Sequence, residues 1–176
     1  ITEVVHHHQI PSFELNEFMK LYGEVLKEVM SEIEGIDLLP GIEDTLKYFS
    51  GKKDYYLSIA TGNCKTGAIG KLEHCQVNQF FQTGAYGDEA HNRAKLIELA
   101  IENAKSFYGQ VFEKESIFYL GDTPKDIEAA KANGIQAVAV STGFYSHEAL
   151  KNYLPHHLLK DMRNLNQVSK IFEFGR

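Results

Sequence analysis

The sequence predicts an α/β protein, a doubly wound parallel sheet with helices on its faces and a helical appendage at the N-terminal end. Three observations lead there. Apolar runs without alternation, at residues 117–120 and 136–140, suit strands covered on both sides in a parallel sheet. Segments with apolar residues recurring at three and four lie between the strand-like runs, which implies right-handed βαβ units. The strand-like runs also stop abruptly at turns rich in glycine, hydroxyls and carboxylates, and in open α/β sheets that carboxyl edge is where ligands bind.

Composition narrows the function. With 176 residues the chain can build one sizeable core and one appendage. A net charge of −6 and the lack of any Lys/Arg-rich run argue against nucleic acid or an anionic membrane as the main partner and favour a small ligand. No apolar run approaches transmembrane length, and the opening residues lack the basic and apolar regions of a secretory signal. Cys64 and Cys75 are too few for a disulfide framework and lack metal-ligand spacing, so a reduced, cytoplasmic setting is expected.

The elements follow in order. His6, His7 and His8 are consecutive, so on a helix or strand their side chains diverge and cannot converge on one ion. Over residues 12–33, Leu15, Phe18, Tyr22, Leu26, Val29 and Ile33 describe a long amphipathic helix, which Gly35 breaks. Pro40 and Gly41 punctuate the chain before a short helix at 42–49. Residues 55–60 read as a strand ending at Thr61-Gly62-Asn63. A hydroxyl, a glycine and a helix start offer an oxyanion a side-chain donor and backbone N–H groups; alternatively Thr61 or Asn63 caps the helix that carries Ala68, Ile69 and Leu72. An edge strand at 84–86 and a polar loop at 88–92 lead into a helix at 93–108. Arg93 and Lys95 occupy its first turn, where the dipole disfavours cations, so either a bound anion or an ion pair with Asp88 or Glu89 is expected to compensate.

The run at 117–120 enters Gly121-Asp122-Thr123-Pro124-Lys125-Asp126. Thr123 can cap a helix beginning at Pro124 and closed by Gly134. Asp122 and Asp126 then flank one strand-to-helix turn, a plausible seat for Mg²⁺. Asp126 lies three residues after Thr123, however, so it can equally close a capping box with no metal. The remaining elements are a strand at 136–140, a helix at 147–153, a short strand holding Leu158 and Leu159, and a closing helix at 165–174.

Taken together, Ala-Thr-Gly-Asn at 60–63, the basic residue opening the helix at 93 and Gly-Asp-Thr-Pro-Lys-Asp at 121–126 resemble the second, third and fourth motifs of the haloacid dehalogenase superfamily. Leu39-Pro40-Gly41 and Ser141-Thr142-Gly143 also look familial. The similarity covers nearly the whole chain and is closest to phosphoglycolate-phosphatase-like members with a helical cap. It implies a Mg²⁺-dependent phosphomonoester hydrolase working through an aspartyl-phosphate intermediate on a small phosphorylated metabolite. By position, Thr61 would hold the phosphoryl group with help from Gly62 and Asn63, Arg93 would offset charge, and Asp122 and Asp126 would hold Mg²⁺. Many relatives have Lys followed by Pro where this chain has Arg93-Ala94-Lys95, so Lys95 is a second candidate for the cation.

The resemblance also implies a division into a partial cap at 1–38 and a core at 39–176. The family's first motif, Asp-x-Asp, which carries the nucleophile, occurs nowhere in these residues. Its strand would lie between those ending at Thr61 and Asp122, so the nucleophile is expected in a segment upstream of Ile1, and the chain alone is expected to be inactive. The competing expectation is a catalytically silent relative that binds a phosphorylated ligand or a protein partner.

Overall fold

The computed structural model describes residues 15–32 and 37–173. The histidines at 6–8 and Phe174 lie outside the described residues. Helix α1 (Leu15–Glu32) is followed by α2 (Ile42–Ser50), β1 (Ile59–Thr61), α3 (Lys65–His74), β2 (Gly84–Tyr86) and α4 (Arg93–Tyr108). Then come β3 (Phe118–Gly121), α5 (Pro124–Ala132), β4 (Gln136–Val140), α6 (His147–Lys151), β5 (His157–Leu159) and α7 (Leu165–Glu173). All pairings are parallel, as βαβ connections require.

Among the described residues the strands form two sheets, β1-β2 and β3-β4-β5. The facing edges of β1 and β3 are not paired with each other. A side-chain hydrogen bond at the outer distance limit, from the Tyr119 hydroxyl to the Ala60 carbonyl at 3.5 Å, links the two strands. Burial follows this division. In β4, which has a neighbour on each side, Ala137, Val138, Ala139 and Val140 are all buried. In β3 the run expected to be covered on both faces is only half-buried, and Leu120 is 38% exposed, because among the described residues one edge of that strand has no neighbour. The strand expected at 55–60 is likewise shorter, spanning only Ile59–Thr61, because β2 supplies just three partner residues.

The helices attach by their predicted apolar faces. Phe49 of α2 joins Val138, Val140, Leu159, Met162 and Val168 in one cluster, while Ile97 and Ile127 of α4 and α5 join Ala137, Ala139 and Leu150 in another. Gly41 has φ +85°, and a methyl there would strike the backbone of Met162 and Arg163, so glycine is required before α2. Helix α1 lies along α3, Gly23 against Thr66 and Leu26 against Gly67, two small residues that admit the close approach. Helix α4 is capped by Asn92, whose side chain accepts from the Lys95 N–H at 2.9 Å, and it ends at Gly109 with φ +62°.

Candidate active site

Three chain turns meet at the carboxyl ends of β1 and β3. They enclose an open cleft of about 460 Å³ whose lining includes Thr61, Gly62, Asn63, Arg93, Asp122 and Asp126. Residues far apart in sequence thus share one site, at the sheet edge where parallel strands deliver their loops.

The turn after β1 is tied from within. The Thr61 hydroxyl oxygen accepts from the Asn63 backbone N–H at 3.2 Å and from the Asn63 side-chain amide at 3.3 Å. With its lone pairs engaged, the hydroxyl keeps its own hydrogen for a ligand. Capping of α3 by Thr61 or Asn63 is not what the chain does. The N-cap residue is Cys64, without a side-chain bond, and Asp88 from the loop after β2 accepts from the Lys65 N–H at 3.0 Å. That loop is pressed onto the Thr61 turn. Gly87 donates its N–H to the Asn63 carbonyl at 2.8 Å, and a methyl on Gly87 would collide with Gly62.

Arg93 opens α4 and turns inward. Its Nη1 lies 3.1 Å from Asp126 Oδ1 and 3.3 Å from the Tyr119 hydroxyl. Its Nη2 faces Gly62, 3.7 Å from where a Cβ would sit on that glycine. Burial works against the guanidinium charge, but the bond to Tyr119 and the charges of Asp126 and Asp122 outweigh it, so Arg93 titrates above the ordinary arginine value. The expected pairing of Arg93 with Asp88 or Glu89 does not occur, since those carboxylates are engaged by the backbone N–H groups of Lys65 and Tyr86.

Lys95 requires a correction. Its Nζ sits 2.6 Å from Glu98 Oε2 with the side chain 67% exposed, and it does not line the cleft. At 100° per residue, two positions along a helix separate Arg93 and Lys95 by nearly half a turn, so one facing the cleft sends the other to solvent.

Asp126 closes a capping box. Its Oδ2 accepts from the Thr123 N–H at 3.0 Å and the Thr123 hydroxyl at 2.7 Å, while Oδ1 takes Arg93 and the Tyr119 hydroxyl at 3.3 Å. Both oxygens of this buried carboxylate are therefore occupied. Asp122 is different: among the described residues no group donates to its carboxylate, which is half-buried, lines the cleft and packs against Gly143, where a methyl would collide with it. No cluster of three or more His, Cys, Asp or Glu residues is present among the described residues. Mg²⁺ fits such a donor set, because it retains several waters and uses one or two carboxylates plus substrate oxygens. Asp122 would be the direct ligand, and Asp126 would act through its neighbours.

One participant escaped the sequence reading. Tyr119 sits inside the apolar run of β3, and the available signal was chemical, since a phenol among apolar neighbours needs a buried partner for its hydroxyl. Gly143 belongs to the familial-looking Ser141-Thr142-Gly143, but its closeness to Asp122 depends on how two loops meet.

Comparison with known proteins places the family and the fold. The sequence profile of the family described as haloacid dehalogenase-like hydrolase matches residues 2–140. Phosphoglycolate phosphatases are similar: that of Synechococcus elongatus is 22% identical over 149 residues, covering 85% of this chain and 67% of the relative. That of Salmonella choleraesuis is 29% identical over 133 residues, covering 76% and 49%, and that of Escherichia coli K12 is 25% identical over 148 residues, covering 84% and 55%. The chain thus spans about half to two thirds of the length of these relatives. Among solved structures, CbbY of Rhodobacter sphaeroides in complex with phosphate superposes with a TM-score of 0.69 at 22% identity, covering 87% of this chain and 66% of that one. A haloacid dehalogenase-like hydrolase of Streptococcus pneumoniae gives 0.62 at 21% identity, covering 96% and 87%. At such identities these structures speak for the fold.

Proposed function

Because the chain belongs to the haloacid dehalogenase-like hydrolase family, we propose that the protein is a Mg²⁺-dependent phosphomonoester hydrolase acting on a small phosphorylated metabolite, in the manner of the phosphoglycolate phosphatases. One observation carries the reading. Thr61, Arg93 and Asp122, from three separate elements, line one cleft at the carboxyl ends of β1 and β3. The free hydroxyl hydrogen of Thr61 would donate to a phosphoryl oxygen, and Arg93 Nη2 would offset its charge from the same side. Bound at Asp122, Mg²⁺ would supply Lewis-acid stabilisation of the phosphoryl oxygens.

In this reading the nucleophile is an aspartate that forms an aspartyl-phosphate, carried by a strand that fills the space between β1 and β3 and is encoded upstream of Ile1. The unpaired facing edges and the exposed Leu120 support that placement. Residues 1–38 would belong to a cap that selects the substrate, which fits the docking of α1 beside the first turn of α3. No helix among the described residues is long and apolar enough to cross a membrane.

The test is phosphate release from an aryl phosphate by the polypeptide extended upstream of Ile1, with Mg²⁺ and with a chelator. Turnover that needs Mg²⁺ and is lost in Asp122→Asn is the expected result. Binding of inorganic phosphate without any turnover would replace this reading by that of a silent binding protein.

A further inference from the structure

The phosphate reading leaves Tyr119 without a task, yet its hydroxyl is placed more specifically than core packing demands. Its ring packs against the cluster containing Ile97 and Ile127, and its oxygen reaches the cleft wall. There Tyr119 Oη, Arg93 Nη1 and Asp126 Oδ1 form a closed triangle with sides of 3.3, 3.1 and 3.3 Å. Arg93 Nη1 donates a hydrogen to the phenol oxygen and pairs with Asp126 by charge, and the phenol donates its own hydrogen to Asp126.

Asp126 alone would not hold the guanidinium in one orientation. A single contact from Nη1 to one carboxylate oxygen leaves the planar group free to swing about that contact, unlike a two-pronged pair. The second contact, to Tyr119, removes that freedom and commits Nη1 to the interior. Nη2 is then the nitrogen turned toward Gly62 and the Thr61 turn. We propose that Tyr119 is a positioning residue, which orients Arg93 so that Nη2 is presented to a phosphoryl group held at Thr61; this rests on the phosphate reading of the cleft.

The test removes one oxygen. Tyr119→Phe keeps the ring in its cluster and deletes only the hydroxyl. In the uniformly ¹⁵N-labelled full-length protein, with Arg93 assigned by the loss of its signals in Arg93→Lys, restrained guanidinium rotation should give separate Nη signals. They should merge in Tyr119→Phe while those of Arg163 stay unchanged. The affinity for inorganic phosphate should fall about five- to tenfold, the size of effect expected for the loss of one ordinary hydrogen bond. Unchanged Arg93 signals with phosphate affinity within twofold of wild type would overturn the proposal, and so would merged Arg93 signals in the wild-type protein, a measurement that needs no variant. If the wild-type protein bound no phosphate while its Arg93 signals still responded to Tyr119→Phe, the phosphate reading would fall and the positioning role would be supported.

Discussion

Arg93 Nη1 and Asp126 Oδ1 lie 3.1 Å apart and join the first turns of α4 and α5, so the cation and the acidic turn of the cleft are fixed relative to each other. Asp126 is buried, whereas the Arg93 side chain is 34% exposed. Truncating the arginine therefore removes the cation paired with a buried carboxylate, while truncating the exposed Lys95 removes only a surface partner of Glu98.

Arg93→Ala should lower phosphate affinity ten- to a hundredfold and destabilise the fold by about 1–3 kcal/mol. Lys95→Ala should leave phosphate affinity within twofold and stability within about 0.5 kcal/mol. Calorimetric titration with phosphate and urea denaturation of the two variants check both statements, and a phosphate defect in Lys95→Ala would return the cation's role to that residue.

Asp122→Asn should weaken Mg²⁺ binding at least tenfold, and Gly143→Ala should weaken it in the same direction by driving a methyl into the Asp122 carboxylate. Lys125→Ala should matter far less. Mg²⁺ titrations of the three variants decide the matter, and equal affinity in wild type and Asp122→Asn would leave that residue no metal role.

Tyr119 should contribute to stability that alkali removes. Burial, followed by the charge of Asp126, pushes its phenol from 10.0 up to about 12. The folded value lies above the unfolded one, so the contribution is fully present below pH 10 and is lost as pH rises through about 12. Its size is on the order of 2 kcal/mol. Urea midpoints of wild type should fall across this window more steeply than those of Tyr119→Phe. Part of the decline should survive in the variant, because burial also raises Tyr86 and Tyr108.

Gly41→Ala should cost at least about 2 kcal/mol, lowering Tm by roughly 6 °C in a protein of this size. The positive φ and the adjoining Met162–Arg163 backbone both oppose a side chain there. A thermal melt matching wild type would show that the α2 entry can relax.

What the sequence determined by itself is local. Helix periodicity placed α4 at Arg93–Tyr108, the run at 136–140 matched β4, and Thr123-Pro124 with Asp126 three residues after the threonine wrote out the capping box. These depend on propensities and hydrogen bonds within a few residues, and so can be read from neighbours in the chain. Thr61, Gly62, Asn63, Arg93, Asp122 and Asp126 were legible as candidates because each occupies a strand end or a helix start. Tertiary structure alone decided the rest. It chose Arg93 over Lys95, since only packing of α4 fixes which face of its first turn meets the cleft. It gave the capping of α3 to Asp88 instead of Thr61 or Asn63, and it set Tyr119 between Arg93 and Asp126. Among the described residues Leu120 is exposed in a run that reads as fully buried, because burial of a strand depends on whether a neighbour pairs with its edge, and a strand's own residues do not encode that neighbour.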